Sequence, residues 1–147
     1  MNKKIIIMLI IIGTLLFLNS NKNTNELISN EKTHTRSPNN VKIKIIENSI
    51  SSTGVTILVT DNNKYHYAWG EQFSIQKKVD GEWQNLKYLT DLPVFSLIGY
   101  GLDKNNQLIQ KIDWTDYYGE LSIGKYRIIK QVYDNGYISL YSDEFEI

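Results

Sequence analysis

Trp114-Thr115-Asp116-Tyr117-Tyr118-Gly119-Glu120-Leu121-Ser122-Ile123-Gly124-Lys125-Tyr126-Arg127-Ile128-Ile129-Lys130-Gln131-Val132 decides the fold. One strand ends at Trp114, a corner bracketed by Gly119 and Gly124 follows, and a second strand opens at Tyr126. Glycine accepts the positive φ values a chain needs when it crosses from one sheet to another. Tyr126 stands two residues after Gly124 and two before Ile128, which shares its face, the spacing of a tyrosine corner in a β-sandwich. In that reading the ring enters the core and the hydroxyl bonds back to a backbone group within residues 118–121. A buried phenol without a partner costs about 1–3 kcal/mol. The competing reading is an ordinary half-buried strand tyrosine.

Working outward, alternation of apolar and polar residues marks further strands. Val41, Ile43 and Ile45 share a face against Lys42 and Lys44, and Val55, Ile57 and Val59 alternate with Thr56, Leu58 and Thr60 before the turn residues Asp61-Asn62-Asn63. Residues 73–79 read as a strand joined to residues 82–89 by Asp80-Gly81, a two-residue loop suited to a type I′ turn. Pro93 interrupts the pattern, residues 94–102 resume it, residues 103–106 turn the chain, and residues 108–114 lead to the corner. Asp134-Asn135-Gly136 is another tight turn, and residues 137–147 close the domain. No segment after the first twenty or so residues has a helical period, and no internal repeat is visible. The pattern predicts an all-β sandwich of seven to eight short antiparallel strands.

The chain has 147 residues, 41% apolar and 22% charged, with no cysteine and a formal charge of zero. That is the size of one ordinary domain. Setting aside Lys3 and Lys4 leaves 14 basic against 16 acidic residues, a charge of −2. No basic patch is available for nucleic acid, since the lysines are scattered and Lys77-Lys78 point to opposite faces of a strand.

Lys3-Lys4 precedes an apolar run, residues 5–18, broken only by Gly13 and Thr14. This is the pattern of a secretory leader. As a helix the run spans about 21 Å, short of a hydrocarbon core about 30 Å thick. Ser20 is the best small residue for cleavage, yet Leu18 two positions earlier is large. Residues 1–20 are therefore a signal peptide or an uncleaved membrane anchor. The leader ends like that of a lipoprotein with asparagine in place of the lipidated cysteine, so no lipid can be attached. Residues 21–40, rich in Asn, Ser, Thr and Lys, show no period and read as a disordered linker with a reach of roughly 25 Å. Residues 41–147 remain for the folded domain, enough to bury about two-thirds of its unfolded surface without disulfides.

Residues 67–83 (Tyr67-Ala68-Trp69-Gly70-Glu71-Gln72-Phe73 running on to Asp80-Gly81-Glu82-Trp83), residues 118–130 and Glu144-Phe145-Glu146-Ile147 resemble the bacterial immunoglobulin-like domain of small secreted proteins and lipoproteins from Gram-positive bacteria. The resemblance covers nearly everything after the linker and implies an immunoglobulin-like β-sandwich. It implies no particular activity. A single alanine and two arginines against 14 lysines suggest an AT-rich bacterial genome.

Catalytic chemistry needs converging groups, and the sequence offers few. His66 is the only histidine after the linker, and without cysteine or a second histidine neither a Cys/His dyad nor a zinc site can be assembled. No Gly-x-Ser-x-Gly marks a nucleophile and no phosphate or calcium loop is present. Glu144 with Glu146, and Asp113 with Asp116, read as charges that protect sheet edges rather than a glycosidase pair. No catalytic residue, metal or cofactor is implied.

Aromatic residues are the remaining signal, with 10 Tyr, 3 Trp and 4 Phe. Tyr65, Tyr67 and Trp69 are the candidate binding residues, a loop-side platform that stacks on sugar rings or seats a partner protein. The competing reading packs Tyr67 and Trp69 into the sandwich. Trp83 and Trp114 read as core or hairpin-stabilising residues. The expected protein is a non-catalytic extracytoplasmic binding or accessory module, secreted or at the cell surface. Its expected partner is cell-wall polysaccharide or another surface protein, and it meets a membrane only through residues 5–18 if these are uncleaved. The alternative is a structural or inhibitory partner that joins another surface protein through an exposed strand edge at residues 137–147.

Overall fold

The computed structural model describes residues 36–147; the leader and the first part of the expected linker lie outside the described residues. Ten strands follow in order: β1 Val41–Ile45, β2 Gly54–Asp61, β3 Trp69–Gly70, β4 Ser74–Val79, β5 Glu82–Asn85, β6 Gly99–Tyr100, β7 Gln107–Asp113, β8 Lys125–Tyr133, β9 Tyr137–Tyr141 and β10 Phe145–Glu146. One helical turn, α1 (Thr115–Tyr118), lies between β7 and β8. The first sheet has the order β1-β2-β7. The second has β10-β8-β4-β5, with β9 also along β8, and β3 pairs with β6 in a small ladder. Every pairing of named strands is antiparallel. These are the counterparts of strands A, B and E facing G, F, C and C′ of an immunoglobulin-type sandwich.

The ten strands reduce to eight because two of them are broken. β3 and β4 are one strand interrupted over residues 71–73, and β9 and β10 are another. Tyr141 pairs with Ile129 and Phe145 with Tyr126, so four steps on one strand face three on the other, which is a β-bulge. Ser142 fills the gap: its backbone N–H donates to the Ile128 carbonyl and its hydroxyl accepts from the Ile128 N–H, both at 2.9 Å. Asp143 then donates its N–H to the Ile43 carbonyl at 2.9 Å, which ties β1 to the bulge.

Alternation puts Val55, Ile57 and Val59 of β2 against Ile75 of β4 and Tyr126 and Ile128 of β8, all fully buried. Each such side chain contributes about 1.5–3 kcal/mol of hydrophobic stabilisation. The corner is formed. Tyr126 is 1% exposed and its hydroxyl donates to the Ser122 carbonyl at 2.7 Å, one residue beyond the stretch expected from the sequence. Trp114 is fully buried, donating its indole N–H to the Ser52 carbonyl at 2.8 Å and stacking at 6.1 Å on Phe145, whose ring also lies 6.0 Å from that of Tyr126.

Three features differ from the sequence reading. The corner contains α1, a single turn with no period to read; Asp113 starts it by accepting from the N–H and hydroxyl of Thr115 at 2.9 and 2.7 Å. Gly119 ends it at φ 69°, ψ −157°, a region open only to glycine. Second, the strand expected to continue to residue 89 leaves the sheet at Asn85, and only Gly99–Tyr100 of residues 94–102 is paired. The chain departs because Tyr88 and Phe95 turn inward, Tyr88 stacking on Tyr118 at 4.8 Å and Phe95 on Tyr117 at 4.5 Å. Third, residues 36–40, expected in the linker, pack on the domain: Arg36 pairs with Asp134 at 3.2 Å and the Ser37 N–H donates to the Asn63 side chain at 2.8 Å. The Asp80-Gly81 hairpin is as expected, with φ of 51° and 87° at its two residues.

Candidate binding surface

Because strand side chains alternate, the residues of the second sheet that do not enter the core line its outer face. Cross-strand register places Gln76 beside Asn85 and Arg127, Lys78 beside Trp83, Ile129 beside Ser74 and Tyr141, Gln131 beside Ser139, and Tyr133 beside Tyr137. One solvent face therefore carries four aromatic rings, a row of amides and hydroxyls, and one arginine. Tyr133, Tyr137 and Tyr141 are exposed, the first two in an edge-to-face pair at 5.6 Å. A groove of about 410 Å³ lies beside Tyr141 on this face, with Ile129, Gln76, Asn85, Gln131 and Ser139 among its lining residues and Tyr88 at its far side.

Arg127 occupies the middle of this face. Its guanidinium carbon lies 4.4 Å from the Trp83 ring centroid and 4.2 Å from that of Tyr141. Its Nε donates to Gln76 Oε1 at 2.7 Å, and Gln76 Nε2 donates onward to Asn85 Oδ1 at 2.7 Å. At one end Lys78 and Lys125 share Glu144 and Glu146 in exposed ion pairs of 3.2–3.9 Å.

The residues named from the sequence are placed elsewhere. Tyr65 is 40% exposed, but Tyr67 and Trp69 are 4% and 2% exposed, edge-to-face within the core. The three form no common exposed platform, because β3 turns Trp69 inward while Asp61, buried, fixes the approach by accepting from the Tyr67 N–H at 2.8 Å. Trp114 is core and Trp83 belongs to the outer face. What the sequence reading missed is parity: Arg127, Ile129, Gln131 and Tyr133 alternate with the inward Tyr126, Ile128, Lys130 and Val132. The expected free edge at residues 137–147 is paired along β8, and its other side meets β1 at the Ile43–Ser142 bridge.

A second polar group lies inside. Beside the break between β3 and β4, Lys130, 1% exposed, reaches across from β8 and donates to the carbonyls of Gly70 and Glu71, at 2.6 and 3.3 Å. Gln110 Nε2 also donates to the Gly70 carbonyl, at 3.3 Å. Tyr100 donates its hydroxyl to the Glu71 carboxylate, which raises the phenol's pKa. Burial pulls the Lys130 ammonium down to about 8, opposed by the charge of Glu71. A buried lysine whose N–H groups face carbonyls of a strand break is a structural cap. Among the described residues no group of three His, Cys, Asp or Glu side chains is placed to hold a metal ion.

Strand order and tyrosine corner define an immunoglobulin-type module. The chain belongs to the family described as bacterial Ig-like domain, whose model matches residues 37–146. No curated protein and no solved structure matches it.

Proposed function

We propose that the protein is a non-catalytic extracytoplasmic binding module that takes cell-wall polysaccharide on the outer face of the second sheet. The observation that carries this reading is the groove flanked by Tyr141 and lined by Gln76, Asn85, Gln131 and Ser139. Aromatic rings stack on the apolar faces of sugars, while planar amides and hydroxyls supply paired donors and acceptors to their hydroxyl groups. The family and the leader pattern of residues 1–20 support an extracytoplasmic location, and no described helix is long and apolar enough to cross a membrane.

The test uses the full chain in mild detergent, co-sedimented with insoluble cell-wall polysaccharide. Tyr137→Ala with Tyr141→Ala weakens retention about tenfold or more, with the melting temperature within a few degrees of wild type because both rings are exposed. Retention equal to wild type in the double variant overturns the reading.

A further inference from the structure

We infer that Arg127 is a pre-oriented anion clamp, so that the polymer bound on this face is an acidic one, carrying carboxylate or phosphodiester groups. The inference rests on the polysaccharide reading of the same face and names its chemical class. Trp83 from β5 and Tyr141 from β9 hold the guanidinium between them, which fixes its plane. Gln76 takes Nε and is itself held by Asn85, which fixes rotation within that plane.

That leaves the two Nη groups. Among the described residues no carboxylate pairs with Arg127, since Glu144 and Glu146 on this face are taken by Lys78 and Lys125. A guanidinium stays charged at every physiological pH, and its planar fork matches a carboxylate or phosphate in two parallel hydrogen bonds. The cross-strand positions here hold the neutral amides Gln76 and Asn85, which orient the cation without neutralising it. Lys78, 5.2 Å from the same Trp83 ring, is offset by Glu144 at 3.4 Å, so the positive charge offered to a ligand is that of Arg127. The holding side chains are thus spent on geometry, and the charge is left for a ligand.

The experiment measures binding of the full chain in mild detergent to three soluble probes at low salt: poly(glycerol phosphate), polygalacturonate and a neutral β-glucan. Wild type binds at least one acidic polymer about tenfold or more tightly than the glucan, and the advantage shrinks as salt is raised. Arg127→Met brings acidic-polymer binding down to the glucan level. Arg127→Lys, which keeps the charge without the fork, stays about fivefold or more weaker than wild type. Which acidic probe is preferred assigns phosphate or carboxylate. Equal binding of all three polymers, or acidic-polymer binding untouched in Arg127→Met, overturns the clamp and leaves the polysaccharide reading standing. Failure of wild type to bind any polymer overturns both. Circular dichroism and melting temperature of each variant establish that it is folded.

Discussion

Replacing Lys130 by Met tests the interior of the domain through its pH dependence. The amine is 1% exposed and its pKa falls to about 8 from 10.5. Between those values the unfolded chain holds a proton that the folded chain has released, so stability rises with pH across the window and levels off above 10.5. The full difference is worth about 3 kcal/mol, and the part gained between pH 7 and 9.5 is about 2 kcal/mol. Above pH 10 an opposing effect enters. Burial raises the pKa values of Tyr67, Tyr117 and Tyr118, so the unfolded chain loses those protons first and stability falls. The scan therefore stops at pH 9.5.

Urea unfolding of wild type and Lys130→Met at half-unit intervals from pH 7 to 9.5 measures the linkage. The Met variant leaves the Gly70 and Glu71 carbonyls without the amine, a cost of about 1–3 kcal/mol, but it also removes the penalty of burying a charge, so its stability at pH 7 is close to wild type. What must change is the gap between the two proteins, which widens in favour of wild type by about 2 kcal/mol by pH 9.5. A constant gap, or a wild-type stability that does not rise, refutes the account of Lys130 as a buried amine with a depressed pKa.

Two further substitutions bear on the corner. Tyr126→Phe removes the 2.7 Å bond to the Ser122 carbonyl and is expected to cost about 1 kcal/mol, whereas Tyr126→Ala, which also empties the ring's place in the core, costs about 3–5 kcal/mol; both are read from chemical denaturation, and an alanine loss below about 1 kcal/mol sinks the corner. Gly119→Ala forces a Cβ onto backbone at φ 69° and ψ −157° and is expected to cost about 1–3 kcal/mol, measured as a fall in the urea midpoint; an unchanged midpoint shows that α1 can end by another route.

The parts of the fold that were legible in the sequence are those fixed by local chemistry. Asp80-Gly81 needs positive φ at both residues, and the alternation of Val55, Ile57 and Val59 can bury only one face, so both are readable without tertiary information. Tyr126 was readable because its spacing from Gly124 and Ile128 is a local constraint. The helical turn at Thr115–Tyr118 and the departure of the chain after Asn85 were not, because each answers to distant rings: Tyr117 to Phe95, and Tyr118 to Tyr88. The burial of Tyr67 and Trp69 was hidden for a related reason. Clustering along the chain drew attention to Tyr65, Tyr67 and Trp69, whereas exposure follows parity along a strand and register between strands. Tyr133 and Tyr137 are four residues apart in sequence but face each other across a hairpin, and Trp83 and Tyr141 meet only through Arg127.

β8 couples these features, and its place in the sheet determines how the outer face can act. The strand is paired on both sides, by β4 and by β9 with β10, so its backbone cannot shift without breaking two ladders. Its inward side chains anchor the corner at Tyr126 and cap the broken strand at Lys130. Its outward Arg127 therefore projects from a backbone paired on both sides, already held by two rings and an amide. A ligand that binds there meets a side chain whose ordering cost was met on folding, and affinity then depends on the ligand's charge geometry rather than on rearrangement of the protein. The same constraint predicts that changes at the exposed outward positions Gln131 and Tyr133 leave stability nearly intact, while changes at the inward neighbours one residue away, Lys130 and Val132, do not, because successive side chains of β8 point to opposite faces and only the inward ones are packed in the interior.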